Sequence, residues 1–208
     1  MDAHEKRRVA VDLDELAGAF ENGLPDLSYY LDVESGEVAM VSDDTRRELE
    51  EIYQELDNGE DLDDALVSEA IRQCDVPDWM RDALEEADRV ERGFGTRYVA
   101  VPRDETHAAY RDMEDFILTV GDERLRERLS DAIDGRGAFG RFKRVLSAHD
   151  DERERWFAFR DARLQERIVA WLAEEGIVPI PGPRTTRVNG QKEVPTGGQR
   201  KSPPRGGG

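Results

Sequence analysis

Residues 135–180 read GRGAFGRFKRVLSAHDDERERWFAFRDARLQERIVAWLAEEGIVPI. This stretch holds two of the three tryptophans, Trp156 and Trp171, and four of the seven phenylalanines, Phe139, Phe142, Phe157 and Phe159. Its spacing predicts a helix opening after Gly135-Arg136-Gly137, with Phe139, Phe142, Val145 and Leu146 on one face. A long helix follows from about Asp150 to Glu175, and Ile177–Ile180 reads as an edge strand. On the long helix Phe157, Leu164, Ile168, Trp171 and Leu172 form an apolar stripe, which the spacing assigns to the core together with Phe139 and Phe142. Phe159 lies off that stripe. Beside it run Trp156, Arg160, Arg163 and Arg167, at i, i+4, i+7 and i+11.

Upstream the chain alternates between both kinds of element. Asp12 is placed to cap a short helix bearing Leu13, Leu16, Ala17 and Phe20. Ser28–Val33 and Val38–Ser42 read as strands joined by Glu34-Ser35-Gly36-Glu37, where Gly36 supplies the positive φ of a tight hairpin. Asp43 or Asp44 then caps a helix carrying Leu49, Ile52, Tyr53 and Leu56, which Asn58-Gly59 stops. Leu62, Leu66, Ala70 and Ile71 mark the next helix, and Trp79, Met80, Ala83, Leu84 and Ala87 the one after. Thr96–Val101 is a third strand, the partner a lone hairpin needs for stability. Two further helices carry Tyr110, Met113, Phe116, Ile117 and Val120, and then Leu125, Leu129 and Ile133.

The expected fold is therefore α+β. A small antiparallel sheet, made of the hairpin plus one later strand, is covered by helices on one side, and the C-terminal half is mainly helical. The expected organisation is a frayed start over residues 1–10, one domain over 11–180, and a disordered basic Pro/Gly-rich tail over 181–208.

Charge limits the functional classes. The formal net charge is −18, with 48 acidic and 30 basic residues among 208. The tail runs against this trend: Arg184, Arg187, Lys192, Arg200, Lys201 and Arg205 face only Glu193. A body this acidic repels nucleic acid and anionic membranes at long range. Cys74 is the sole cysteine, which excludes an internal disulfide and suits a reducing compartment. The first residues lack an apolar signal core, and no run reaches the ~18 apolar residues of a membrane span. The expected location is the cytoplasm, with no membrane partner.

Several blocks then occur in order: YYLDVESGEV, TRYVAVP, YRDMEDFI, GRGAFGRFKRVL and ERWFAFRDARLQERIVAWLAEEGI. Together they resemble a bacterial family catalogued as uncharacterised protein family number 158, over roughly residues 10–178. The resemblance implies a conserved intracellular domain and carries over no catalytic residue. The chain departs from it at Gly140, where a more basic residue is expected.

Signs of catalysis are sparse. His4, His107 and His149 are scattered, and neither a zinc pattern, a G-x-S-x-G elbow nor a phosphate-loop motif occurs. No catalytic residue, metal ligand or cofactor is expected. Asp112 and Asp115 share a helix face at i, i+3 and, with Arg136, would be the basis of a metal-dependent enzyme on phosphorylated substrates; a solvated or salt-bridged face is the favoured explanation of them.

The stronger signal is positive. Gly135, Arg136 and Gly137 open a helix whose free N–H groups favour anions, and Arg141, Lys143 and Arg144 follow. Arg163 and Arg167 repel each other at i, i+4, so the stripe they share with Trp156 and Arg160 requires a counter-charge. Two sources exist. One is internal, with Asp112, Asp115, Asp131 and Asp134 as partners; the other is an external anion, an acidic protein or nucleic acid. The leading expectation is a non-enzymatic binding or regulatory protein that engages an anionic partner through this Arg/Trp surface. Sequence-independent nucleic-acid binding, helped by the basic tail, is the alternative.

Overall fold

The computed structural model describes residues 6–57, 62–103 and 106–181. Among these the chain forms eight helices and five strands. In order they are β1 (Arg7–Val11), α1 (Leu13–Glu21), β2 (Leu27–Asp32), β3 (Val38–Ser42), α2 (Asp43–Leu56), α3 (Asp64–Gln73), α4 (Asp78–Gly93), β4 (Tyr98–Ala100), α5 (Thr106–Thr119), α6 (Glu123–Ile133), α7 (Ala138–Leu146), α8 (Asp150–Glu174) and β5 (Ile177–Pro181). The fold is α+β with a helical C-terminal half. The expected stop at Asn58-Gly59 and nearly all of the expected tail lie outside the described residues.

The hairpin forms where its turn signal places it. β2 pairs antiparallel with β3 and with β4, giving the sheet order β3-β2-β4. Gly36 has φ +81. Asp32 anchors the turn, accepting from the Glu34 and Ser35 N–H groups and from Arg97 at 2.7 Å. Burial pushes its carboxyl up, but the Arg97 guanidinium and those amides outweigh burial and hold it below the ordinary carboxylate range. Capping follows the expected chemistry at Asp12, which accepts from Asp14 and Glu15 N–H. At α2 the cap is Ser42 rather than Asp43 or Asp44, with its hydroxyl accepting from Thr45 N–H.

Two features differ from expectation. Residues 7–11, all but the last of them in the stretch 1–10 expected to fray, form β1, which pairs in parallel with β5 from Arg7↔Ile177 to Val11↔Pro181. Val9 and Val11 are buried, so alternation along this short strand supplies an apolar face despite its charged neighbours. β1 also passes under the hairpin turn: a Cβ on Gly36 would lie 2.0 Å from the Ala10 carbonyl oxygen. The three-stranded sheet, moreover, is covered on both faces. Tyr30, Ala39, Val41 and Tyr98 pack on α2, α3 and α4. Leu31, Val33, Val99 and Val101 face β1, β5, α1 and the second half of α8.

A third core is purely helical. Met113, Phe116, Ile117 and Val120 of α5 pack with Leu125 and Leu129 of α6, Phe142 and Leu146 of α7, and Trp156 of α8. Helix α8 therefore serves two cores. Its first half closes the helical core through Trp156 and Phe159; its second half closes the sheet core through Leu164, Ile168, Trp171 and Leu172. At about 100° per residue the two buried faces lie roughly a third of a turn apart. Phe157 aligns with Leu164 but sits beyond the sheet core, and it is 44% exposed. Periodicity extended the stripe one step too far.

Candidate anion-binding surface

The geometry divides the ten residues expected to bind an anion. On α8 Arg155, Arg163 and Arg167 face α5, which runs antiparallel to it. Arg155 reaches the Thr119 carbonyl, Phe116 meets Trp156 and Phe159 at 5.2 and 5.7 Å between centroids, and Arg163 bonds Asp115 at 3.2 Å. One turn earlier on α5, Asp112 is 2% exposed and accepts from Arg167 at 2.9 and 3.1 Å and from Arg163 at 3.4 Å. Arg163 also bonds Glu166 at 3.0 Å. The hydrogen bonds that Arg163 donates to Glu166 and Asp112, with the charge of those carboxylates, outweigh burial and raise its pKa above the ordinary arginine value. The counter-charge for Arg163 and Arg167 is thus internal, and it fixes the register of α5 on α8.

The other α8 members are similarly engaged. Arg160 bonds Asp161 at 2.8 Å, lies 3.8 Å from Glu21 and sits over the Phe157 ring. Trp156 is buried edge-on against Phe116 and Phe142, the latter at 4.9 Å, so it presents nothing to a surface partner. The metal alternative loses its geometry at the same point, because both Asp112 oxygens accept from guanidinium groups. Among the described residues no group of three or more His, Cys, Asp or Glu side chains converges to hold a metal ion.

The turn between α6 and α7 is different. Gly135 and Gly137 adopt φ +78 and +77, which an L side chain rarely takes. This wraps the chain so that the Arg141 guanidinium gathers the carbonyls of Ala132 at 3.0 Å, Asp134 at 2.5 Å, Gly135 and Arg136. Arg141 thereby acts as the cap of the α6 C-terminus, where orphan carbonyls favour a cation. The start of α7 has no side-chain cap. Ala138, Phe142 and Leu146 bury the inner face of α7. Its outer face carries Phe139, which is 39% exposed, with Gly140, Lys143 and Arg144; exposed Arg136 precedes it. Arg136, Lys143 and Arg144 make no ion pair among the described residues, and a Cβ on Gly140 would meet nothing within 4 Å.

The spacing places Phe139 in the core, because it precedes Phe142 and Leu146 by helical intervals, but the structure leaves it 39% exposed. The signal against it is Ala138, whose i, i+4, i+8 series with Phe142 and Leu146 fills the buried face of so short a helix.

Fold and site together define an acidic α+β protein whose long-helix arginines are paired mostly with its own carboxylates, leaving a small basic face on α7. The chain belongs to the Uncharacterised protein family (UPF0158), whose model matches residues 73–182, from the end of α3 past β5. A curated relative from Pseudomonas aeruginosa, "UPF0158 protein PA5073", is 24% identical over 173 residues, covering 83% of this chain and 88% of that protein. No solved structure matches the chain. No described helix is long and apolar enough to cross a membrane.

Proposed function

We propose that this chain is a non-enzymatic binding protein that engages an anionic partner through the outer face of α7. The observation that carries the reading is the cluster of Arg136, Lys143 and Arg144, without an ion pair among the described residues, in a protein that pairs Arg163, Arg167 and Arg160 internally. Exposed Phe139 sits among those charges, an arrangement in which an aromatic ring adds contact area to an electrostatic patch. The same ring favours a second reading, single-stranded nucleic acid, whose bases stack on exposed aromatics while phosphates meet cations.

The test is retention of the full chain on a heparin column at low salt. Wild type is retained despite its net charge of −18 and elutes as salt rises. Combined Arg136→Glu, Lys143→Glu and Arg144→Glu flows through with its melting temperature unchanged. Flow-through of the wild type, or equal retention of the triple variant, ends the proposal; equal retention would assign the effect to cations elsewhere in the chain. A labelled single-stranded oligonucleotide then separates the two readings, since only the nucleic-acid reading predicts that Phe139→Ala weakens binding several-fold.

A further inference from the structure

A cleft of about 260 Å³ opens at the junction of the two sheets, well away in sequence from α7. It is lined by Arg7 of β1, by Glu174 and Glu175 at the end of α8, and by the aliphatic side chains of Val33, Val99 and Ile177. Val33 and Ile177 are buried core residues, so that part of the lining is fixed by packing. Arg7 is placed by its own backbone, whose N–H donates to Gly176 O at 3.0 Å, while its guanidinium makes one long contact of 3.5 Å to the Thr96 carbonyl.

Arg46, Arg72, Arg92, Arg97, Arg163 and Arg167 each reach a carboxylate within 4 Å. Arg7, Glu174 and Glu175 line one cleft, yet none makes an ion pair with another or with any described residue. The two carboxylates are reinforced by the carbonyl end of α8, where the helix dipole favours a cation. A cleft lined by a cation, two carboxylates and three aliphatic side chains matches a molecule carrying both charges on a short aliphatic body. Its size falls below the ~300–1,000 Å³ of sites for drug-sized ligands, which restricts the occupant to something small.

We propose that this cleft binds a small zwitterion of the aliphatic α-amino acid class. The carboxylate meets the Arg7 guanidinium, the ammonium meets Glu174 and Glu175 at the carbonyl end of α8, and the aliphatic side chain lies over Val33, Val99 and Ile177. This site is independent of α7, and its ligand differs in charge from the partner proposed there.

The experiment titrates full-length protein with L-alanine, L-valine and L-leucine, followed by calorimetry and by amide NMR shifts. L-leucine binds with a Kd near or below about 1 mM and shifts the amides of Gly95, Thr96 and Gly176, which border the cleft. Isocaproate, which lacks the ammonium, and isoamylamine, which lacks the carboxylate, each bind at least tenfold more weakly. Arg7→Gln and the pair Glu174→Gln with Glu175→Gln each weaken L-leucine tenfold or more; all three positions are exposed, so the variants fold. The proposal is overturned if none of the three amino acids binds at about 10 mM, if the analogues bind as well as L-leucine, or if the charge-removing variants bind it unchanged. Shifts confined to α7 would also overturn it, without touching the polyanion reading, which heparin retention tests separately.

Discussion

Replacing Asp112 with asparagine tests whether the arginine row on α8 is structural. The carboxylate is 2% exposed and bonds both Arg167 and Arg163, whose side chains are 27% and 40% exposed. Removing one partner of a fully buried ion pair costs about 3–5 kcal/mol. Two features reduce that here. Arg163 keeps Asp115 and Glu166 as partners, and both guanidinium groups touch water. About 2 kcal/mol is the resulting expectation, and at roughly 2–4 °C per kcal/mol for a chain of this size the melting temperature falls by about 4–8 °C. Asp115 supplies the control. It bonds Arg163 as Asp112 does but is 51% exposed, so Asp115→Asn costs less than about 0.5 kcal/mol. Thermal melts followed by circular dichroism decide the matter. Equal shifts for the two variants, or an Asp112→Asn melt within a degree of wild type, would refute an internal role for the row.

Two further substitutions probe other parts of the fold. Gly36→Ala must place a methyl group 2.0 Å from the Ala10 carbonyl oxygen at φ +81, so it costs about 3 kcal/mol and loosens β1; a urea titration close to that of the wild type would show that β1 does not pass beneath the turn. Trp156→Ala opens the helical core and costs about 3–5 kcal/mol, whereas Phe157→Ala, at 44% exposure, costs under about 1 kcal/mol. The reverse order in chemical denaturation would restore the single apolar stripe that the spacing suggested.

The elements legible in the sequence are those whose signals are local. The β2–β3 hairpin needs only the alternation of its strands and the turn at Gly36, and β4 follows from a β-branched run seeking a partner. The β1–β5 pair was harder to read because it joins opposite ends of the chain in parallel, with no turn to mark its register. Ile177–Ile180 was legible as a strand by its composition; its partner was hidden among the charges of residues 4–8. Helix α8 shows a different limit. Periodicity assumes one buried face per helix, but this helix passes from the helical core to the sheet core and changes face between Phe159 and Leu164. That is why Trp156 is buried and Phe157 exposed. The repulsion between Arg163 and Arg167 did require an acid, and Asp112 and Asp115 were among the named internal sources. Their position opposite α8 depends on α5 packing antiparallel to it, which no local pattern encodes.

This arrangement also determines how the two proposed surfaces relate. Helix α7 lies beside the start of α8, since Phe142 on its inner face packs on Trp156. The zwitterion cleft lies at its end, at Glu174 and Glu175. A helix of 25 residues spans about 37 Å, several Debye lengths at physiological salt, so charge bound at one end is screened from the other. Coupling between them would have to be mechanical, through a two-state element that both sites bias. Asp112 and Asp115 of α5 both tie to the middle of α8 through Arg163 and Arg167, and these bonds hold the two helices in one register. While those bonds hold they oppose a shift of α8 along α5, and the two surfaces act independently. An effector that linked them would therefore have to break the bonds to Asp112, at a cost comparable to that of the Asp112→Asn substitution.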